Sequence, residues 1–523
     1  MTTHAIRRTS VHSDEQVQAA ITKLIKAGFQ ISPEALELIK EHPRPGHFVN
    51  TFLAAEGVHP AETPVLEPTH FIKFQENKTP LTPEDPVTSK LEVPSLTSSK
   101  RIAEGVKADI QILKDPTTEM SGTGTLDDFH QTFQDRYKRL RQIITQRVDG
   151  RGVTDICQVQ KEAKNSGDKP PTVKVVGIIT AKYLTKSGNI AIELEDLTGT
   201  INCVIQQREP QLLNKAQIVL LDQVVCVEGA LVSDEMIIAK DLFLPDVPTN
   251  RRNNRAKENI SALLLSDIHF GSKHFLDDVF QRVVEWLKGE EGDRDHIELA
   301  GTVKYIVING DLVDGIGVYP NQREEITIHD LNSQYQGLNK ILQEVPNHIN
   351  LIIAPGNHDG VRTAIPRPAI DDHFFDPLRD SGLQVTSLGC PTQISLHGVQ
   401  LLIYHGDSLI DIMGALSKPD VEAGFAAMRA MLQGRHLAPI YGKGTNIVAE
   451  PRDWLVIDEV PDILHCGHIH VTTLSSYRKT LIVNSGTFQS QTEYQRLVGI
   501  EPTPGIVPLV DLQTLNVKQL YFI

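Results

Sequence analysis

The sequence predicts a multidomain chain. A small helical module is expected over 1–60, a Pro-rich linker over 61–124, an amphipathic helix and connector over 125–170, an OB-type β-barrel over 171–250 and an α/β domain over 255–523. Three observations predict this. Residues 171 to 245 alternate apolar and polar side chains in short runs broken by Gly, Asn and Ser, the pattern of half-buried strands. From 260 onward, short continuous apolar runs of the buried parallel-strand type alternate with helix-period stretches. A length of 523 residues suits three or four domains at roughly 150 residues each.

Composition narrows the function classes. Hydrophobic residues make up 40% and charged residues 22%, so the chain can bury cores and is neither fibrous nor a disordered polyelectrolyte. No apolar run approaches the ~18 residues that span a bilayer, so a membrane protein is not expected. Met1 to Arg8 lack the apolar stretch of a secretory signal, and a cytoplasmic location is expected. Cys157, Cys203, Cys226, Cys390 and Cys466 lie far apart, which argues against a disulfide framework or a Cys-rich zinc site. Asp and Glu number 66 against 51 Lys and Arg, a net charge of −15. Bulk electrostatics therefore repel nucleic acid, and any handling of DNA needs a basic patch, a bound metal pair or a partner. Thirteen of the 20 histidines lie between 269 and 470, a clustering that asks for a chemical explanation.

Taken in order, Val17, Ala20, Ile21, Leu24 and Ile25 recur at helical spacing, with Gly28 at the C-terminal cap position. Ser32 and Pro33 open a second short helix that runs to Ile39. Seven prolines fall between Pro60 and Pro94 among Thr, Ser, Glu and Lys, a composition that buries little surface. Thr125 and Asp128 fit a capping box. Behind them Leu126, Phe129, Phe133, Tyr137, Leu140 and Ile144 form one apolar stripe. Arg136, Lys138, Arg139, Arg141 and Arg147 occupy the other faces and read as the solvated basic side of a docked helix. Five barrel strands are expected over 173–180, 190–194, 200–205, 223–229 and 236–239. Tyr183 is the sole aromatic among those strands and turns, so the barrel is expected to contact protein rather than to stack single-stranded nucleic acid.

In the α/β region each apolar run ends in metal-type ligands. The run 263–265 ends in Asp267 and His269, and the run 305–308 ends in Asp311 and Asp314. The run 351–353 ends in Asn357, His358 and Asp359, the run 401–403 in His405, and the run 463–464 in His465, His468 and His470. In open α/β sheets, functional groups gather beyond the carboxyl ends of strands, so five strand ends would converge on one site. Asp, His and Asn offer hard oxygens and borderline imidazoles suited to Mn²⁺, Fe²⁺, Zn²⁺ or Mg²⁺. A carboxylate bridging two ions ~3.5–4 Å apart is the arrangement of two-metal hydrolases, which activate water and neutralise a phosphoryl group. One Asp-x-His would mean little. Five such motifs in strand context mean a metal site.

Residues 260 to 523 resemble a calcineurin-like metallophosphoesterase domain, and more closely the small subunit of the archaeal family D DNA polymerase, or DNA polymerase II small subunit. The resemblance rests on Gly310-Asp-Leu-Val-Asp-Gly-Ile-Gly-Val-Tyr-Pro-Asn-Gln322, Tyr404-His-Gly-Asp-Ser408, Leu455-Val-Ile-Asp-Glu-Val-Pro-Asp462 and Asn484-Ser-Gly-Thr-Phe-Gln-Ser-Gln491. The barrel precedes the phosphoesterase region as in that family, so it covers 125 to 523. It implies two packed mixed sheets flanked by helices. It implies Asp267, His269, Asp311 and His470 at one divalent ion, Asp311 bridging, and Asn357, His405 and His468 completing a second, with Mn²⁺ the favoured metal. Two catalytic residues are implied: His358 stabilises charge on the scissile phosphate and protonates the leaving oxygen, while Asp314 orients that imidazole and raises its pKa. The implied activity is 3′→5′ exonucleolytic proofreading on single-stranded 3′ ends or mismatched primers. The implied partner is a large catalytic polymerase subunit.

Phosphoprotein phosphatases carry an arginine after the second Asp of this motif to grip a terminal phosphate, and here Gly315 stands in its place. A diester substrate is therefore expected. Two other functions compete: a metal-free scaffold subunit, disfavoured by the complete ligand set, and a stand-alone phosphodiesterase, disfavoured by the barrel and the polymerase-type motifs. Arg251, Arg252, Arg255 and Lys257 read as a solvated linker, Cys466 as a packed strand residue, and His373, His436 and His465 as ordinary polar residues.

Overall fold

The apolar runs after 260 form two six-stranded mixed sheets in the computed structural model, which describes residues 101–165, 170–416 and 423–523 and isolated positions before 101. In the first sheet the order is Gln384–Ser387, Asn350–Ala354, Val303–Asn309, Ser261–Leu265, Ile506–Asp511 and Val517–Tyr521. The first four strands are parallel and the last two antiparallel. In the second, the order is Thr473–Tyr477, Thr480–Asn484, Ile463–Cys466, Val399–Ile403, Thr392–Leu396 and Ile110–Lys114.

Side-chain alternation explains the layering. Leu263, Leu265, Ile306, Ile308, Leu351 and Ile353 pack on Val283, Trp286 and Leu338 of the covering helices Asp277–Lys288 and Leu331–Leu342. Their neighbours Ala262, Leu264, Tyr305, Val307 and Ile352 face Ile394, Leu401, Ile403, Ile463 and Val483 of the second sheet. The far face of that sheet, with Leu402, Leu464 and Ile482, buries Met428 and Met431 of the helix Ala423–Gly434. Strands buried on both faces need continuous apolar runs, which is why no polar residue interrupts 262–265 or 305–308.

Between the edge strand Ile110–Lys114 and the first strand of the α/β region lies a closed five-stranded barrel, Thr172–Leu184, Ile190–Asp196, Gly199–Ile205, Met236–Phe243 and Val224–Ser233 in spatial order. Its last strand runs further than the sequence indicates and brings in a second aromatic, Phe243, covered by the Arg147 guanidinium at 5.3 Å. Tyr183 remains exposed.

Three expectations change. The linker expected to reach 124 ends sooner: the chain divides into units Met1–Ser95 and Leu96–Ile523. Ile110–Lys114 is an edge strand antiparallel to Thr392–Leu396, and Ala103, Val106, Ala108 and Ile110 pack on the inter-sheet core. Pro-rich composition is confined to the earlier stretch, and this strand takes its partner from far downstream in the chain. Second, the helix Leu126–Thr145 has the expected capping box, but Leu126 is 85% exposed while Asp128, Thr132 and Arg136 are buried. Arg136, read as solvated, donates from Nε to Asp453 at 2.7 Å and from its guanidinium to Pro439 O at 2.9 Å. The docking face is therefore partly ionic. Third, Arg251 is not a free linker cation but pairs with the fully buried Asp462.

In the first unit, Gln30–Ile31 pairs in parallel with Val65–Leu66, and Leu24, Ile39 and Val49 are buried in helical conformation. The remainder of the helical module and linker expected over 1–100 lies outside the described residues. No described helix is long and apolar enough to cross a membrane.

Candidate metal centre

Beyond the strand ends the chain turns sharply, and the turns carry the donors. Asp267, His269, Asp311, His468 and His470 all have positive φ, between 52° and 69°. Asp and His tolerate the left-handed region better than most residues, yet each such conformation costs on the order of 1–3 kcal/mol and persists only where the surroundings over-determine it. Five such residues lie in one place, held there by the surrounding packing. Close approach adds to this: a side-chain carbon at Gly356 would lie 2.1 Å from Asp311 Oδ1, and one at Gly467 2.5 Å from Asp267 Oδ2.

The seven residues expected to bind metal do converge. Asp267, His269 and His470 form one group, His269, Asp311 and His358 a second, and Asp311, His405 and His468 a third, with the donor atoms of each within 4.8 Å of one another. Asp311 Oδ2 is central, at 3.2 Å from His405 Nε2, 3.7 Å from His269 Nε2 and 4.0 Å from His358 Nε2. Asn357 Oδ1 lies 3.2 Å from the same His405 nitrogen. On the other side, His470 Nε2 is 3.4 Å from Asp267 Oδ1 and 3.1 Å from His269 Nε2. Asp267 is held in turn by the His468 backbone N–H at 2.9 Å.

The tautomers suit cation binding. His405 Nδ1 donates to Asn309 O at 2.9 Å and His269 Nδ1 to Asp314 Oδ1 at 3.0 Å, so each turns Nε2 inward, the nitrogen that would face a bound ion. Among the described residues no lysine or arginine pairs with Asp267, Asp311 or Asp314. Burial works to raise the Asp311 pKa, but His405, His358 and His269 outweigh it and hold the carboxyl well below its usual range. Burial likewise opposes charge on His405, yet the Asp311 carboxylate pushes it up to about 10. Without an ion, protonated His405 is the counter-charge to Asp311, and a divalent ion would take its place by displacing the Nε2 proton. A set of buried carboxylates and inward-facing imidazole nitrogens with no paired lysine or arginine fits divalent ions.

Asp314 corrects an expectation. Its carboxylate does not hold His358. It accepts from His269 Nδ1, and Gln322 and Gln489 donate to it at 3.1 and 3.3 Å. The His358 ring is oriented by the Asp314 backbone instead: His358 Nδ1 donates to Asp314 O at 2.7 Å. The backbone turn at Asp314 sends the side chain back toward His269 and leaves only the carbonyl facing the loop of His358. With 14% of its side chain exposed, His358 is the most open of the site's imidazoles that pair with a carboxylate. The glycine that replaces the phosphatase arginine is structurally required, because φ at Gly315 is +72° and a side-chain carbon there would lie 2.2 Å from His358 O.

Residues that sequence reasoning left without a role form the supporting ring. Thr487 Oγ1 donates to Asp267 O at 2.8 Å, and Gln495 Nε2 lies 2.7 Å from His470 Nδ1. Gln322, Thr487 and Gln489 all fall in the long motifs 310–322 and 484–491, the one signal that pointed to them. His465 and Cys466 are buried in the strand Ile463–Cys466, and His436 pairs with Asp453, away from the cluster.

The profile of the DNA polymerase alpha/epsilon B-subunit family matches residues 262–473. The DNA polymerase II small subunit of Archaeoglobus fulgidus is 38% identical over 93% of this chain and 94% of its own length. That of Methanothermobacter thermautotrophicus is 36% identical over 77% of this chain and 81% of its own. That of Halobacterium salinarum is 32% identical over 95% and 97%. Among solved structures, an archaeal phosphodiesterase overlaps 50% of this chain and 99% of its own at 13% identity, with a TM-score of 0.25, too loose to bear on the fold.

Proposed function

The chain belongs to the DNA polymerase II small subunit family, and on that footing we propose that it serves an archaeal replicative DNA polymerase as a two-metal 3′→5′ exonuclease, its α/β domain being of the metallophosphoesterase type. The observation that supports the nuclease reading is the convergence of buried donors from five strand ends, five of them in left-handed backbone. Asp267, His269, Asp311 and His470 would hold one divalent ion and Asp311, Asn357, His405 and His468 the other, Mn²⁺ being the favoured metal. When bound, such a pair supplies Lewis acidity at a phosphoryl group and makes water easier to deprotonate.

The chain's own residues do the rest. His358 keeps Nδ1–H on the Asp314 carbonyl and turns Nε2 toward the reaction space, where it donates a proton to the leaving 3′ oxygen. Asp314 fixes the tautomer of His269 and is a positioning residue. Gly315 leaves room for a continuing backbone where a monoesterase places an arginine. The partner is the large catalytic subunit, which supplies the basic surface this acidic chain lacks.

The test uses purified full-length protein, end-labelled single-stranded DNA and Mn²⁺. Shortening from the 3′ end, about two divalent ions per chain by elemental analysis, and loss of cleavage on chelation are expected. An absence of cleavage, or one ion or none with every donor intact, would sink the reading.

A further inference from the structure

We propose that Tyr319 forms a nucleobase-stacking subsite for the nucleotide whose phosphate meets His358. This rests on the nuclease reading and extends it to how the substrate end is gripped.

The segment from Gly315 to Asn321 arches from the site. Buried amides clamp both ends: Gln334 accepts from Gly315 N–H at 2.9 Å and donates to Gly315 O at 3.1 Å. Gln322 accepts from Val318 N–H at 2.8 Å and donates to Asp314 O at 2.6 Å. Both glutamines are buried, so the base of the arch is rigid. Positive φ at Gly315, Gly317 and Asn321 turns the chain outward and back. What the arch presents is apolar, with Ile316 50% exposed and Tyr319 half-buried.

The Tyr319 ring lies 6.0 Å from the His358 ring at an interplanar angle of 54°. Its hydroxyl makes no hydrogen bond among the described residues. Burial, then the carboxylates of Asp314 and Glu325, raise the phenol's pKa, so it stays neutral. A neutral, half-buried ring on a loop whose base is clamped, beside the phosphate-facing imidazole, is what a base can stack on, and stacking tolerates any base. A ring at this place would select a nucleotide over a bare diester, since the carboxylates and imidazoles beside His358 offer no stacking face to a base.

The experiment compares two single-stranded oligonucleotides, one ending in an ordinary 3′ nucleotide and one with a 3′-terminal abasic residue, on full-length wild type, Tyr319→Phe and Tyr319→Ala. Two readouts are taken: KM for cleavage with Mn²⁺, and Kd without added metal. Wild type and Tyr319→Phe should favour the base-bearing end by about tenfold in both, with kcat little changed, as loss of one stacked base implies. Tyr319→Ala should lose that preference. A preference that persists in Tyr319→Ala, or that wild type never shows, overturns the subsite. If wild type binds with the preference but cleaves neither oligonucleotide, the nuclease reading fails while the stacking subsite stands.

Discussion

At the residue scale, separate side chains can be assigned separate losses. His358→Ala should abolish cleavage and leave metal content nearly intact, whereas Asp311→Ala should lose both, because its Oδ2 faces His269, His405 and His358 at once. Equal loss of metal in the two variants would overturn the division of roles. Asp314→Asn should weaken metal binding about 10- to 100-fold, as removal of an outer partner of a metal-bound histidine does. It should leave the acidic limb of the pH–rate profile in place, since the carboxylate touches His269 and not His358. Burial and the neighbouring Arg136 hold His436 neutral, its pKa lowered from 6.5 to about 4. The unfolded chain therefore binds the extra proton between those values, and the stability His436 contributes is complete above about pH 6.5 and lost toward pH 4. The melting-temperature advantage of wild type over His436→Gln should shrink across that window, and a constant difference would refute it. The residues that converge were legible in the sequence because each apolar run ends in them. The partner of Asp314 was not, because a turn decides whether its carboxylate or its carbonyl faces His358, and sequence carries no record of that choice.

Among the elements, the helix Leu126–Thr145 keeps the expected stripe at Tyr137, Leu140 and Ile144, which are buried, and departs from it at exposed Leu126. Beside that stripe the docking face also carries an ion pair, Arg136 against Asp453, with side chains 1% and 2% exposed. Removing one member of a buried pair leaves a charge without compensation and costs about 3–5 kcal/mol, far above the ~0–1 kcal/mol of a surface pair. Arg136→Ala should lower stability by that amount in denaturant melts. Lys138→Ala, on the solvent side, should change it by less than ~0.5 kcal/mol. Comparable losses would mean the helix is held by its apolar stripe alone. Helix existence, its capping box and the barrel strands were readable because they depend on residues a few positions apart. The edge strand Ile110–Lys114 was not, since it pairs with Thr392–Leu396 and carries no local turn signal.

For the whole molecule, the boundary after Ser95 sets where the chain can be cut. Removing residues 1–95 should leave a folded protein that still associates with the large subunit. Removing 1–124 should not, because it strips an edge strand from the second sheet and uncovers Leu396 and Ile394. Co-purification of both truncations with the large subunit checks this; association of the shorter chain alone would reverse it. The complex should bind DNA far more tightly than this chain of net charge −15, with an affinity that falls as salt is added.

The same edge strand has a consequence for synthesis. Thr392 donates to Lys114 O across 278 residues, and the helix and barrel between them leave the ribosome before that partner exists. At ~5–20 residues per second the strand waits roughly 15–60 s for its place in the sheet. The barrel, local in its pairing, is complete well inside that interval. The donor set spans Asp267 to His470, so the centre is among the last parts of the nascent chain to assemble. Order of birth runs from barrel to sheet to centre, and no product that stops before His470 carries the full set of donors.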